Sequence, residues 1–411
     1  MHTGFCRLCG AELIRSFVDL GSTPLANSYL TAEQVAQGRE CSYRLHARVC
    51  DACLLVQVDE TVPADAIFSA DYAYFSSISS SWVAHARRYA ETMIERFGLG
   101  PRSLVMEVAS NDGYLLQHFL ARGVAVLGIE PAANVAAVAI GLGIPTEVMF
   151  FNADSAKSLA ARHGHADLIA ANNVLAHVPD LRGFVAGFFE ILQPQGVATF
   201  EFPHLLNLIR QVQFDTIYHE HYSYLSLLVV ERVLAGAGLR VFDVEQLPTH
   251  GGSLRVFCCR AGAARAVRPR VTELEALEAA AGLDRPEAYD AMAPKVAAVV
   301  RAFRKFVAAG KIGGRRLAAY GAAAKGNTFL NACGMTASDL VCVADRSQAK
   351  QGRLIPGSHL PVVTPEELEK IRPDDVVILP WNIADEIAAE LQPLRAAGCR
   401  FWVAVPELRE V

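Results

Sequence analysis

Two Cys-x2-Cys pairs, Cys6-Arg-Leu-Cys9 and Cys50-Asp-Ala-Cys53, constrain this chain more than any other feature. Each pair offers two thiolates from one tight turn, and four thiolates close a tetrahedral Zn²⁺ shell with no open position. Such a site is structural, so any chemistry must lie elsewhere. Gly10, directly after the second thiol, suits a turn whose amides face sulfur. The two pairs stand farther apart than the roughly 15–20 residues of a simple zinc ribbon. Loop closure costs grow slowly with length, so an insertion is tolerated. The alternatives are a redox pair or free thiols, but a redox Cys-x2-Cys belongs to a βαβ context. Cys41, Cys258, Cys259, Cys333, Cys342 and Cys399 read as small buried apolar residues.

The chain has 411 residues, enough for two or three domains. A net charge of −5 gives no basic stripe for nucleic acid. No apolar run reaches the roughly 18 residues of a membrane span. The first residues, MHTGFCRLCG, lack the pattern of a secretion signal, so a cytoplasmic protein is expected.

From about Ser103 strand and helix signals alternate, predicting a parallel sheet with ligands at the strand carboxyl ends. Ser103–Ala109, Val124–Glu130, Asp167–Asn172 and Val197–Glu201 read as strands. The first turn, Glu107-x-Ala109-x-Asn111-Asp112-Gly113, is not the Gly-x-Gly-x-x-Gly that cradles a pyrophosphate. It suits S-adenosylmethionine, which has no phosphates, with Glu130 placed for the ribose hydroxyls and Asn172 beside it. An ordinary strand-turn-helix with a surface Glu is the competing reading. Asn173 and His177 are four apart, which predicts one helix face directed at the reacting end of the cofactor. A capping or core histidine is the alternative for His177.

The run FDTIYHEHYSYLS, Phe214–Ser226, holds Tyr218, His219, Glu220, His221, Tyr222 and Tyr224. His, Glu and Tyr are groups that exchange protons at a reacting centre. A polar loop with satisfied histidines is the bland reading. His250-Gly251-Gly252 reads either as a pocket wall or as a turn between strands. Residues from about 262 to 310 have helical spacing. A second strand-turn-helix follows at Arg316–Gly321, with Lys325 placed for a phosphate at a helix N-terminus. A degenerate domain that only buttresses the first is the alternative.

Taken in order, these pieces resemble the deoxysugar C-methyltransferases that act on nucleotide-linked keto-sugars. The carrying segments are the two Cys-x2-Cys pairs, Tyr72-Ala-Tyr74-Phe-Ser-Ser77, Glu107–Gly113, Asn173-x3-His177, Phe214-Asp-x2-Tyr218-x-Glu220-His221, His250–Gly252 and Tyr320-Gly-Ala-Ala-Ala-Lys325. The resemblance implies an α/β chain. It would have a zinc lobe (1–70), a class I methyltransferase domain (71–260), and a helical linker with a Rossmann-like domain (261–411). It implies His221 as general base, Tyr218 and Glu220 lining the sugar pocket, Tyr74 lent by the N-terminal segment, and Asn173 and His177 near the reacting groups. Glu107, Ala109, Asn111, Asp112, Gly113, Glu130 and Asn172 would hold the cofactor. Lys325, Tyr320, Gly321, His250, Gly251 and Gly252 would hold the nucleotide sugar, and Cys6, Cys9, Cys50 and Cys53 the zinc. The expected reaction removes a proton beside a 4-ketone and methylates that carbon on a thymidine-diphosphate sugar, in a monomeric enzyme. An O- or N-methyltransferase, or a non-catalytic nucleotide-sugar binding protein, are the competing classes. The turn departs from the glycine-rich methyltransferase form at Ala109-Ser110.

Overall fold

A computed structural model describes residues 4–59 and 75–411. The first lobe is antiparallel: β1 (Arg15–Pro24), β2 (Ser42–Val49) and β3 (Val56–Val58) pair in sequence. Phe17, Val18, Leu45, Ala47, Val49 and Val56 bury one hydrophobic surface. Each Cys-x2-Cys turn flanks this sheet, the second leading straight into β3.

The middle domain opens on helix Ser80–Phe97, capped by the Ser79 hydroxyl and stopped by Gly98 in the left-handed region. The strands β4 (Leu104–Val108), β5 (Ala125–Ile129), β6 (Thr146–Glu147), β7 (Ala166–Asn172) and β8 (Leu192–Pro203) are mutually parallel. Their apolar runs fit a sheet covered on both faces. Next, β9 (Ser223–Tyr224) leaves this sheet and pairs with β3 of the first lobe. Then β10 (Leu239–Leu247) and β11 (Ser253–Arg260) form an antiparallel hairpin at the β8 edge. The order is β10-β11-β8-β7-β4-β5-β6. Chain direction away from β4 reverses between β5 and β7, so the carboxyl ends of β4 and β7 border the crevice where such sheets bind ligands.

Helices Pro269–Ala280 and Met292–Ile312 lead into a second open sheet. Its strands are β12 (Leu317–Tyr320), β13 (Val343–Ala344), β14 (Val362–Val363), β15 (Asp375–Ile378), β16 (Arg400–Val403) and β17 (Arg409–Glu410), in the order β14-β13-β12-β15-β16-β17. All but the antiparallel β17 run parallel. Two buried clusters belong to single domains, one to the middle domain and one to the C-terminal sheet, and a third runs through all three domains. The shared cluster joins Phe17, Phe200, Phe214, Phe303 and Phe329, with Phe329 packed on Phe303 at 4.8 Å and on Phe214 at 5.9 Å.

Three expectations are corrected. Asn173 and His177 do not share a helix face: Asn173 is left-handed (φ 54°), His177 ends a short 3-10 turn, and the helix begins only at Leu181. Cys41 is exposed, not buried. The sequence Tyr114–Leu120 reads as the start of a helix, but the helix starts only at Leu116, because Ala109, Asn111 and Gly113 all take positive φ and prolong the turn.

Candidate active site

The four cysteine sulfurs of the first lobe lie within 4.8 Å of one another. Cys6 Sγ is 3.5 Å from Cys53 Sγ, and Cys9 Sγ is 3.5 Å from Cys50 Sγ. The donor set fits a tetrahedral zinc ion. Gln57 Nε2 donates to Cys6 Sγ at 3.1 Å and orients a ligand from outside the shell.

At the carboxyl end of β4 the turn is tightly held. Glu130, beyond β5, accepts the Asn111 N–H at 3.0 Å and the Ala132 N–H at 2.8 Å. Asn111 Oδ1 accepts the Ser76 N–H, and Asp112 Oδ2 accepts both the N–H and hydroxyl of Ser77. Gly113 has φ +83°, and a Cβ there would stand 2.4 Å from Ile144 Cδ1. Beside the Ser110 hydroxyl, the groups buried with no close partner are acceptors: both Glu107 carboxylate oxygens, Asp112 Oδ1 and Asn172 Oδ1, with the Tyr114 hydroxyl acting on Glu107 and Asn172. Burial pushes the Glu107 carboxyl well above its ordinary range, with Asp112 and Glu130 adding to the effect. A site rimmed by unsatisfied acceptors and carboxylates fits a cationic ligand such as a sulfonium amino acid.

The Phe214–Ser226 run packs against the short turn that follows β7. His221 Nδ1 is 2.9 Å from the Thr216 carbonyl, so Nδ1 carries the proton and Nε2 is the acceptor. The Tyr218 hydroxyl donates to Nε2 at 2.7 Å. Both residues are half-buried, whereas their neighbours in the run are buried. The His177 ring, beyond β7, meets the His221 ring edge-on at 4.6 Å. Burial, then the neighbouring His177, holds His221 well below its ordinary pKa, and burial pushes His177 down to about 4. Both imidazoles are therefore neutral at physiological pH. Glu220 turns away from His221: Asn27 Nδ2 donates to its Oε1 at 2.8 Å. His219 packs on Tyr43 and points its Nε2 at the Tyr43 carbonyl, a structural role. Tyr74 lies outside the described residues.

His250 sits in the β10–β11 turn with φ 55°, its ring on Trp82 and its Nε2 3.4 Å from Asn173 Nδ2. Gly251 is forced by packing: with φ +87°, a Cβ would come within 2.3 Å of Trp381. Gly252 lies against Asn207. Lys325 points out of its own domain into the same region, over the Trp381 ring at 5.0 Å and 3.4 Å from the His250 carbonyl. Burial lowers its pKa. Tyr320 separates from it, lining a pocket of about 440 Å³ with Arg346, Gln351 and Glu390. Gly321 packs on Pro380.

Several residues here have no role assigned from the sequence, including Asp215 of the Phe214-Asp-x2-Tyr218 segment. Asp215 is buried, with Oδ2 accepting from Trp381 Nε1 at 2.7 Å and Oδ1 unpartnered. Glu201 accepts from Arg255 at 2.6 Å and bonds His85 at 3.0 Å. Burial opposes its charge, but His85 and Arg255 outweigh burial and hold the carboxyl below its ordinary range. An acid at the end of a predicted strand was the one available hint for Glu201. Asn27 and Trp381 offered none.

Three family models cover the chain: a zinc binding domain at residues 6–68, a methyltransferase domain at 82–244 and a C-methyltransferase C-terminal domain at 248–406. The C-methyltransferase NovU of Streptomyces niveus is 36% identical over 406 residues, spanning 99% of this chain and 96% of its own. The chain belongs to the C-methyltransferase family. It is an S-adenosylmethionine-dependent C-methyltransferase of the class I fold with an N-terminal zinc-binding domain. A ubiquinone biosynthesis O-methyltransferase of Rhodopseudomonas palustris matches at 24% identity over 33% of this C-methyltransferase and 62% of its own length. Among solved structures, the 1,6-didemethyltoxoflavin N1-methyltransferase of Burkholderia thailandensis aligns at 17% identity and TM-score 0.37, over 52% of this chain and 98% of its own. Among the described residues, no helix of the C-methyltransferase is long and apolar enough to cross a membrane.

Proposed function

We propose that the enzyme methylates the carbon adjacent to the ketone of a dTDP-linked 4-keto-deoxysugar, through proton abstraction and an enolate. The observation that most supports this is the Tyr218–His221 pair. A neutral imidazole with its Nδ1 proton fixed on Thr216 offers Nε2 as acceptor to the Tyr218 hydroxyl, and both residues are only half-buried. The Tyr218 hydroxyl proton moves to His221 Nε2 as the Tyr218 oxygen takes the substrate C–H proton, leaving the enolate. S-adenosylmethionine, when bound, supplies an electrophilic methyl on a cationic sulfur. Glu107, Asp112 and Asn172 hold its charged amino-acid end, and Glu130 takes a ribose hydroxyl on its remaining lone pairs. Lys325 draws the diphosphate toward the catalytic run, and His250 with Asn173 forms the adjoining wall.

Mass spectrometry of products from a panel of keto-sugar nucleotides tests this. The expected result is one added methyl on a 4-keto substrate and none on its 4-hydroxy counterpart. Solvent deuterium entering the sugar C–H tests abstraction separately. Equal methylation of the 4-hydroxy sugar would refute the enolate route.

A further inference from the structure

We propose that Asn27 is a positioning residue for Glu220, and that through it the C-terminal domain sets the geometry of the catalytic run. The proposal rests on the reading of Glu220 as a sugar-pocket group. The segment after β1 crosses to the C-terminal domain. There Asn327 Nδ2 donates to the Ala26 carbonyl at 2.7 Å, and the Tyr29 hydroxyl donates to the Ala322 carbonyl at 2.5 Å. Leu30 pairs with Leu354 through two backbone bonds of 3.1 and 2.8 Å. Between these anchors, Asn27 gives its amide to Glu220.

Glu220 is buried, and among the described residues no Lys or Arg forms an ion pair with it. A buried carboxylate held by a neutral donor depends heavily on that donor for its orientation and its charge. Its backbone carbonyl is meanwhile a partner of His177. The two ends of Glu220 are thus tied to β7's exit loop and to the segment clamped on the C-terminal domain. The clamp includes Ala322, in the turn that leads directly into helix Ala324–Ala332, whose second residue is Lys325. A ligand that draws on Lys325 therefore bears on a turn already coupled to Glu220.

The tie has a pH signature. Burial raises the Glu220 carboxyl, and the Asn27 donor opposes that shift. Tyr29 and His177 are the titratable groups that face Glu220 from other elements, and His219 and His221 flank it in its own run. Removing the donor moves Glu220 further up, so the acid limb of activity moves to higher pH. The test measures kcat and KM from pH 5 to 9 for the full-length, zinc-loaded enzyme with a dTDP-linked 4-keto-6-deoxyhexose, in Asn27→Ala, Glu220→Gln and the double variant. Asn27 is exposed, so melting temperature should stay near that of the parent. The expected result is a roughly tenfold lower kcat in Asn27→Ala, the scale of one hydrogen bond to a charged group. The acid limb should shift upward, and Asn27→Ala should add no further loss in the Glu220→Gln background. Asn327→Leu should move the limb in the same direction. An unmoved limb in Asn27→Ala, with losses that add to those of Glu220→Gln, would overturn the proposal while leaving Glu220 in its role. Full activity and an unchanged profile in Glu220→Gln would overturn the reading of Glu220 itself.

Discussion

Asp215→Asn should stabilise the folded enzyme at neutral and higher pH, and not at pH 4. The carboxylate is buried, and desolvation pushes its pKa up from 3.8 to about 6, even though Lys325 and the Trp381 indole N–H both act to lower it. A folded-state pKa above the unfolded one means that the native protein binds this proton more tightly than the unfolded chain does. The ionised form is then a cost that is absent below the unfolded pKa, grows as pH rises, and is complete above the folded pKa. A rise of roughly two pH units, at 1.36 kcal/mol each, sets that cost at about 3 kcal/mol from pH 7 upward. Asparagine keeps an oxygen for the Trp381 N–H and carries no charge. Urea unfolding of parent and variant at pH 4, 6 and 8 is the assay. The stability difference should be small at pH 4, climb through pH 6 and level near the full value at pH 8. A difference that does not change with pH, or a variant less stable at pH 8, would refute the reasoning.

Tyr218→Phe removes the donor to His221 Nε2 and should lower kcat about 10²-fold with little change in KM, in line with the usual contribution of a positioned proton-transfer group; steady-state kinetics decide this. Glu107→Gln should weaken S-adenosylmethionine binding by about tenfold, the scale of a charge-assisted contact, as read by calorimetry. Cys53→Ser leaves three thiolates and should lower both zinc stoichiometry, measured by metal analysis, and melting temperature.

The strands were legible because each is an apolar run bounded by turn residues: β4, β5 and β7 fall within two residues of the sequence reading. The zinc site was legible because its ligands come as adjacent pairs. The reading of Asn173 and His177 failed because i, i+4 spacing assumes helical backbone throughout. Asn173 is one of the few residue types that enter the left-handed region readily, and here it does so. Tyr320 and Lys325 share one loop region by sequence but point to different pockets, a distinction no spacing carries. The contacts that organise the site were out of reach for a simpler reason. Asn27 and Glu220 are 193 residues apart, Asp215 and Trp381 are 166 apart, and Glu201 and Arg255 are 54 apart. Motif logic is local: the first two pairs exist only once domains have docked, and the third only once β11 has paired with β8.

The zinc site shows the same docking at work. Four thiolates leave the metal no open position, so it takes no part in the chemistry directly. Yet Cys53 is followed at once by β3, and β3 pairs with β9 through Val56 opposite Tyr224 and Gln57 opposite Ser223. The Val58 N–H also donates to the Tyr222 carbonyl at 3.1 Å. Residue 222 is next to His221. Gln57 itself donates to the Cys6 sulfur, so one residue touches the metal shell and pairs with β9 at Ser223. Two hydrogen-bonded steps and two residues of chain therefore link the thiolate shell to His221. Loss of zinc should therefore reduce kcat in protein that is still folded, ahead of any global unfolding. The metal shell is thus tied through Gln57 and β3 to the Phe214–Ser226 run.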